Sequence, residues 1–387
     1  MEKGAPCISK GKIFLSLLFV PGVYIVLLLS AVLTIAIGGG VIAGISYICV
    51  TYLPVIPTGI LFLIGLGSFI GVLGSLKAIL STFKRTKSFE PAMIITMEEH
   101  PKLNALVIEL AKKMNTKIPD TFILHSKSNF FVANGKIQVL NGVAKGRIMS
   151  ISTPLLSVLS VNEFRSVIAH EFAHFTGNDT LYSKTVLPIY KGAHTLKQEI
   201  SNVVNNASEN SGFVSIPLFL PLLLVSLYLN AFQKWDMKLS RSREYRADYI
   251  SASICGKSTF TNALRKAIVI GDVFDSTVDN EILDILQKDK IFVNYFAKFR
   301  QELPKFKREL QETEANIFSQ QEEVYSSHPP FSARIESLPF TEGEYQESNS
   351  NAAINLLENS SSIEEELTKT YSYFIWDFLK LTLPTNS

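Results

Sequence analysis

Two histidines four residues apart stand in the segment 167–174, and a glutamate directly follows the first. Residues i and i+4 lie on one face of a helix, so the imidazoles of His170 and His174 can point at one metal ion. Glu171 lies about 100° further round the helix, where it can hold a water at the ion without binding the ion. This is the H-E-x-x-H arrangement of zinc hydrolases. The alternative is two ordinary histidines on an amphipathic helix.

A helix is well indicated at this position. Ser160 and Glu163 form a capping box, in which the serine caps the N3 amide and the glutamate reaches back. Apolar residues then follow at helical spacing, and Gly177 is a stop signal. The spacing therefore predicts a buried helix with both histidines in its last two turns.

A catalytic zinc also needs a third protein ligand and an open position for water. About seventy residues further on, Glu244 and Asp248 are again four apart on a predicted helix. Glu244 is the candidate ligand, and Asp248 could accept a hydrogen bond from an imidazole N–H and fix its tautomer. The alternative is an ordinary i,i+4 surface pair among arginines.

Three motifs, at 170–179, 240–248 and 327–335, follow one another in the order typical of one family. They resemble the membrane-bound zinc metallopeptidases of the HtpX-like and CAAX-prenyl-endopeptidase family, which belongs to the gluzincins. The resemblance runs from roughly residue 90 to 338. It implies one Zn²⁺ per chain, bound by His170, His174 and Glu244, with Glu171 as the general base.

The resemblance also implies roles around the metal. Asp248 would be the hydrogen-bond partner of His170, and His328 and Arg334 would shape the substrate or oxyanion side. His328 is our nominee for stabilising the oxyanion. Asp179 either hydrogen-bonds near the site or caps the next helix. A segment similar to the family's edge strand would hold substrate in extended form: Asn129, Phe130, Phe131, Val132 and Ala133. Phe130 replaces the family's usual small residue there.

The composition limits the class of protein. The chain has 387 residues, 47% of them hydrophobic, and a mean hydropathy of +0.21, more apolar than a typical soluble chain. A net charge of +2 gives no general basic surface, which argues against nucleic acid as a partner. Cys7, Cys49 and Cys255 form no spacing pattern, so we expect reduced thiols and no disulfide framework.

The N-terminal part lacks charged residues between Lys12 and Lys77. Residues 1–85 are therefore predicted to be a membrane anchor of two transmembrane helices, about 14–51 and 58–80. Three shorter spans also fit by length, but lysines and arginines on both flanks favour an even number of crossings. We expect an integral protein of the inner (plasma) membrane, with the following domain facing the cytoplasm.

Residues 90–340 are predicted to form an α+β domain, mostly helical and zincin-like, with a small antiparallel sheet. Short β-type runs at 121–124, 130–133 and 137–140 supply the strands, with Asn134-Gly135 as the hairpin turn between the last two. A fourth strand is possible at 148–151. The sheet edge would offer backbone groups to an extended peptide.

Two further stretches bear on the membrane. Segment 211–233 is long enough to span, but one crossing would separate His174 from Glu244 by roughly 30 Å. We therefore expect it to dock on the bilayer, with Pro217 and Pro221 favouring a bent or re-entrant element. Residues 341–387 are predicted to be an acidic, loosely packed tail with a short apolar C-terminal segment.

These features together predict a membrane-anchored zinc endopeptidase that cleaves peptides or membrane proteins, in membrane protein quality control like its HtpX-like relatives. One alternative is a prenyl-protein (CAAX-type) processing endopeptidase, although that branch has many more spans. The other is a non-catalytic membrane scaffold that retains the fold. The intact set of His170, Glu171, His174 and Glu244 argues against a scaffold, which has no need of a base.

Overall fold

A computed structural model of the protein describes residues 10–52, 55–81, 88–176, 212–288, 290–319, 328–340 and 351–382, with a few residues between 194 and 205. Asp179 and Cys7 lie outside these ranges. The chain divides into two compact units. The first comprises Met1–Cys7, Lys87–Thr180 and Ser240–Ser387, and the second comprises Ile8–Thr86 and Leu181–Leu239.

The second unit contains long apolar helices. Helix α1 covers Lys10–Tyr52 and helix α2 covers Thr58–Ser81, close to the predicted bounds. A third helix, Ile216–Cys255, begins in this unit and ends in the first. Each of the three contains a stretch long and apolar enough to cross a membrane. The chain is therefore assigned to the membrane.

The helix Ile216–Cys255 is continuous, so the expectation that the two prolines break the helix is wrong. Pro217 lies in the first turn, where a helix needs no backbone N–H, and only Pro221 lies inside. The first half of the helix packs against α1 through a buried cluster: Val23, Leu27, Leu218, Val225 and Leu229. Gly71 of α2 leaves room for Leu218, because a Cβ there would lie 2.5 Å from it. Such small residues allow close packing of membrane helices.

The first unit contains a five-stranded sheet. The strands are β1 (Ser88–Phe89), β2 (Ala92–Ile95), β3 (Thr121–His125), β4 (Phe131–Val139) and β5 (Gly142–Ser152), in the order β1-β4-β5-β3-β2. The β4–β5 and β2–β3 pairs are antiparallel, whereas β1–β4 and β3–β5 are parallel. The sheet is therefore mixed, not antiparallel as the sequence predicted.

The predicted turn at Asn134-Gly135 is also wrong. Both residues lie inside β4, where Gly135 pairs with Gly146 of β5. The chain turns instead at residues 140–141, and the side-chain amide of Asn141 bonds to both backbone groups of Ile94. This contact joins the turn to β2, a strand that is distant in sequence.

The helix Ile216–Cys255 is α6. The other helices of the first unit are α3 (Pro101–Lys113), α4 (Thr153–Leu156), α5 (Val161–Thr176), α7 (Lys257–Leu286), α8 (Tyr295–Glu302), α9 (Lys307–Ser319), α10 (Phe331–Glu336) and α11 (Ser360–Thr382). The main core lies between the helices and one face of the sheet, with Phe164, Phe172 and Phe274 fully buried. A smaller cluster around Ile123 and Ile148 covers the other face. The predicted mostly helical α+β class is confirmed.

The C-terminal residues pack more closely than the sequence suggested. In α11, Leu367, Tyr371 and Ile375 join the main core. The carboxylate of Glu364 is also buried, and it accepts two hydrogen bonds from Arg300. The expectation of a loosely packed acidic tail therefore does not hold for residues 351–382, because the partly exposed Arg300 compensates for the charge of the buried Glu364.

Candidate metal centre

Helix α5 begins as the capping box predicts. The backbone N–H of Glu163 donates to Ser160 Oγ at 3.2 Å, and the N–H of Ser160 donates to Glu163 Oε2 at 2.7 Å. The same carboxylate oxygen accepts from Lys266 Nζ at 2.8 Å, which neutralises the fully buried Glu163. With Phe164 and Phe172 buried against the core, α5 is fixed in both its start and its rotation.

A pair of buried serines sets the register between α5 and α6. Ser251 Oγ donates to the carbonyl of Ser166 at 2.7 Å, and the two hydroxyls lie 2.9 Å apart. Ser166 is one turn before His170, and Ser251 is one turn after Asp248. This contact therefore places the first histidine of α5 opposite the acidic residues of α6. Sequence reasoning missed both serines, although their spacing from His170 and Asp248 was visible.

The three predicted ligands meet on these two helices. The Nε2 atoms of His170 and His174 are 3.3 Å apart, and Glu244 oxygens lie 3.7 Å from the first and 3.6 Å from the second. Donors about 2.0–2.2 Å from a tetrahedral zinc are separated by roughly 3.3–3.6 Å. The residues therefore fit a zinc ion, and among the described parts of the chain they form a cluster of the size that holds a metal.

The far side of His170 faces Asp248. Its Nδ1 lies 3.1 Å from Asp248 Oδ1, and its ring stacks on Phe260 with centroids 6.2 Å apart. A proton on Nδ1 would be stabilised by the carboxylate, leaving the lone pair on Nε2 for the metal. Phe260 is a third residue that sequence reasoning missed, because an aromatic residue at that position is typical of an ordinary core.

Arg334 connects both acidic residues of α6. Its Nε and Nη2 donate to the two oxygens of Asp248 at 2.8 and 2.6 Å, and Nη2 also lies 3.2 Å from Glu244 Oε2. Burial opposes its charge, but the attraction of Asp248 outweighs this effect and raises the pKa of Arg334 above its usual value. The resemblance placed Arg334 near substrate or oxyanion. Its buried guanidinium favours the positioning of carboxylates instead.

The remaining predicted residues differ in exposure. Glu171 is 8% exposed, beside the histidine pair on α5. His328 Nδ1 lies 3.2 Å from Glu244 Oε2, and 66% of its side chain is exposed. His328 and Arg334 thus reach the same carboxylate from one short segment, one from the open side and the other from the buried side.

Of the predicted substrate strand, Phe131, Val132 and Ala133 form the start of β4, whereas Asn129 and Phe130 precede it. This strand pairs with β5 along its whole length, but on its other edge only Ile137 and Gln138 pair with β1. Within the described ranges, the backbone from Phe131 to Lys136 has no strand partner on that edge. Phe130 and Val132 pack towards the main core, where Phe130 contacts Phe164 of α5. The strand with the open edge therefore lies against the helix that carries the histidines.

Comparisons with known proteins agree with this arrangement. The family description "Peptidase family M48" matches residues 97–341. A "Protease HtpX homolog" of Persephonella marina is 32% identical over 167 residues, covering 42% of this chain and 55% of the relative. A "Protease HtpX homolog" of Pyrococcus abyssi is 30% identical over 180 residues, covering 44% and 57%. The matches thus span little more than half the length of these relatives.

One solved structure was also compared. The match to "Crystal Structure of S. mikatae Ste24p" covers 82% of this chain and 67% of the chain in that structure, with 16% identity and a TM-score of 0.36. A similarity at that level is too low to bear on the fold or the site.

Proposed function

Since the chain belongs to peptidase family M48, we propose that it is a membrane-anchored, zinc-dependent endopeptidase. The observation that carries the proposal is the spacing of the three donor groups, which lie 3.3, 3.7 and 3.6 Å apart on two helices held in register. Two histidines and a carboxylate form a donor set typical of catalytic zinc, which leaves a position open for water.

In this proposal His170, His174 and Glu244 hold the ion. A bound Zn²⁺ would act as a Lewis acid and lower the pKa of water at the site. Glu171 directly follows the first ligand on α5 and is not needed as a ligand itself. It accepts a proton from the attacking water and delivers it to the leaving amine, as a general base and then a general acid.

The residues around the ligands have supporting roles. Asp248 keeps the proton of His170 on Nδ1, and Arg334 keeps Asp248 and Glu244 charged and in place. His328 lies on the exposed side of Glu244, where it could donate a hydrogen bond to a developing oxyanion. Asp179 remains a candidate for hydrogen bonding near the site.

The substrate is proposed to be an extended peptide that pairs along Asn129–Ala133, where the open edge of β4 begins at Phe131. Because three helices are long and apolar enough to cross a membrane, membrane proteins are natural substrates, and quality control of such proteins is the proposed setting. Lysines and arginines on both flanks of the first two helices support a catalytic domain in the cytoplasm, with the anchor in the inner membrane.

The experiment is cleavage of unfolded casein by the detergent-purified protein, wild type beside Glu171→Gln, with zinc measured in both. We expect the variant to keep its zinc and to lose cleavage by at least about 10²-fold, the usual contribution of a general base. Equal cleavage by both proteins would remove Glu171 from the mechanism. A zinc-loaded wild type that cleaves no peptide would support the scaffold instead.

A further inference from the structure

The loop of residues 126–130 connects β3 to β4, and its last two residues, Asn129 and Phe130, begin the proposed substrate segment. Since β5 lies between these two strands, the loop must cross its end and bridge about 10 Å. At the end of the loop that leads into β4, the carbonyl of Asn129 accepts a hydrogen bond from Ser150 Oγ of β5 at 3.4 Å. The path of this loop therefore decides where β4 starts relative to α5.

The backbone of this loop is fully bonded at its centre. The four consecutive N–H groups from Ser126 to Asn129 each donate to an acceptor: Pro91 O at 2.9 Å, His125 Nδ1 at 3.0 Å, Asp275 Oδ1 at 3.0 Å and Lys127 O at 2.8 Å. Connecting segments usually leave such groups to water. Two of the four bonds are local, and the other two hold the loop to distant residues, Ser126 to Pro91 and Ser128 to Asp275.

Helix α7 supplies the main tie. Asp275 accepts from both the backbone N–H and the hydroxyl of Ser128, and the hydroxyl also lies 3.2 Å from the carbonyl of Gly271. A Cβ at Gly271 would lie 2.9 Å from the Ser128 side chain, so only glycine allows this approach. A glycine inside a helix lowers stability by about 1 kcal/mol relative to alanine. The close approach of Ser128 explains why a glycine nevertheless stands at position 271.

A second tie reaches the C-terminal helix. Asp279, one turn further along α7, accepts from Lys127 Nζ at 2.6 Å and from the hydroxyl of Tyr371 at 2.6 Å. Burial of the phenol and this hydrogen bond raise the pKa of Tyr371, so it stays a donor. Tyr371 belongs to α11, which lies beyond the part of the chain that the family description matches.

We propose that Asp275 and Gly271 of α7, supported by Asp279 and Tyr371, form a positioning device that fixes the start of the substrate strand through Ser128. The device touches neither the metal ligands nor the peptide. It acts by holding Asn129–Ala133 in the extended conformation with which a peptide would pair. The substrate half of this inference rests on the proposed function, whereas the structural half does not.

If this device positions the substrate strand, its loss should raise KM and leave kcat nearly unchanged. Asp275→Ala removes both bonds to Ser128, and we expect KM for a decapeptide cut from casein to rise roughly tenfold. The value of kcat and the zinc content should stay within about twofold, because the substitution changes no residue of α5 or α6 and leaves Phe260, which stacks on His170, in place. Asp272→Ala is the matched control, since Asp272 is an exposed acid on the same helix.

Gly271→Ala separates positioning from simple loss of stability. Alanine favours the helix by about 1 kcal/mol yet would push Ser128 aside. We expect a Tm no lower than that of the wild type together with a KM several times higher. Tyr371→Phe should show a weaker effect of the same kind, roughly two- to fivefold, since it removes one bond from the outer part of the device.

Amide hydrogen exchange tests the structural half without any cleavage. In Asp275→Ala, the amides of residues 129–133 should exchange faster than in Asp272→Ala, while those of α5 remain unchanged. Unchanged exchange, or unchanged KM where the wild type cleaves, would overturn the inference. A joint fall of kcat and zinc content would do so too, because it would show a general disturbance. A zinc-loaded wild type that cleaves nothing would contradict the proposed function. The amide exchange of residues 129–133 would then be the measurement that supports or overturns the positioning device.

Discussion

Two clusters of opposite charges in the first unit have similar composition and opposite surroundings. The metal-site cluster joins Arg334 to Asp248 and Glu244, whose side chains are 6%, 0% and 11% exposed. The surface cluster joins Lys298 to Glu281 and Glu302 at 2.6 and 2.5 Å, with side chains 27–31% exposed. Hydrogen bonds from Lys298 and Lys305 lower the pKa of Glu302 to about 2.

The two clusters differ in what surrounds a carboxylate after its cationic partner has been removed. At the surface, water solvates a carboxylate that loses its lysine, so the pair contributes little. In the metal site, no water can reach Asp248, and a lost arginine would leave buried charge uncompensated. Short distances alone therefore say little about stability. The burial of the metal-site cluster is what allows it to hold a ligand carboxylate in one orientation.

The largest expected effect is that of Arg334→Met in protein stripped of metal by chelation. Removing the guanidinium takes the permanently charged partner away from two carboxylates in a buried site, which should lower the free energy of unfolding by about 3–5 kcal/mol. Thermal unfolding in detergent measures it. Zinc should restore part of the loss, because the ion would pair with Glu244. A variant as stable as the wild type without metal would show that the site is more hydrated than its burial indicates.

The next effect is that of Glu244→Gln on zinc affinity. The amide keeps the shape and the contacts with the helix but removes the negative charge, so we expect affinity to fall by at least about 10²-fold. Competition with a chromophoric chelator measures this value. Glu302→Gln makes the same change in the surface cluster and serves as the control, with no expected change. Equal affinities for the wild type and Glu244→Gln would place the third ligand elsewhere.

The smallest effect is that of Lys298→Met, the surface counterpart of Arg334→Met. We expect the free energy of unfolding to fall by less than about 1 kcal/mol, and the difference to shrink further at 1 M salt, where exposed pairs are screened. Thermal unfolding at low and high salt checks both parts. A loss as large as that of Arg334→Met would mean that burial does not distinguish the two clusters.

Sequence patterns predicted the parts of the site that depend on local geometry. His170, Glu171 and His174 lie on one helix, as do Glu244 and Asp248, so their spacing fixes which side chains share a face. The capping box at Ser160 is likewise a contact over three residues, and the structure contains both of its hydrogen bonds. The mostly helical α+β class followed from the same periodicity.

What the sequence could not predict depends on contacts between distant residues. Asn134-Gly135 has the composition of a turn, yet both residues pair with β5, and the turn that follows lies where Asn141 bonds to Ile94 of β2. The acidic composition around Glu364 predicts a loose tail, whereas hydrogen bonds from Arg300, 64 residues earlier, allow Glu364 to be buried. Ser128 and Asp275 are 147 residues apart, and no local pattern relates them.

The most direct measurement is the zinc content of the detergent-purified wild type beside His170→Ala, determined by elemental analysis after dialysis against zinc. The account predicts about one zinc per chain in the wild type, as in a catalytic site of this kind, and close to none in the variant. Zinc absent from both proteins, or equal in both, would contradict a metal centre built on His170, His174 and Glu244.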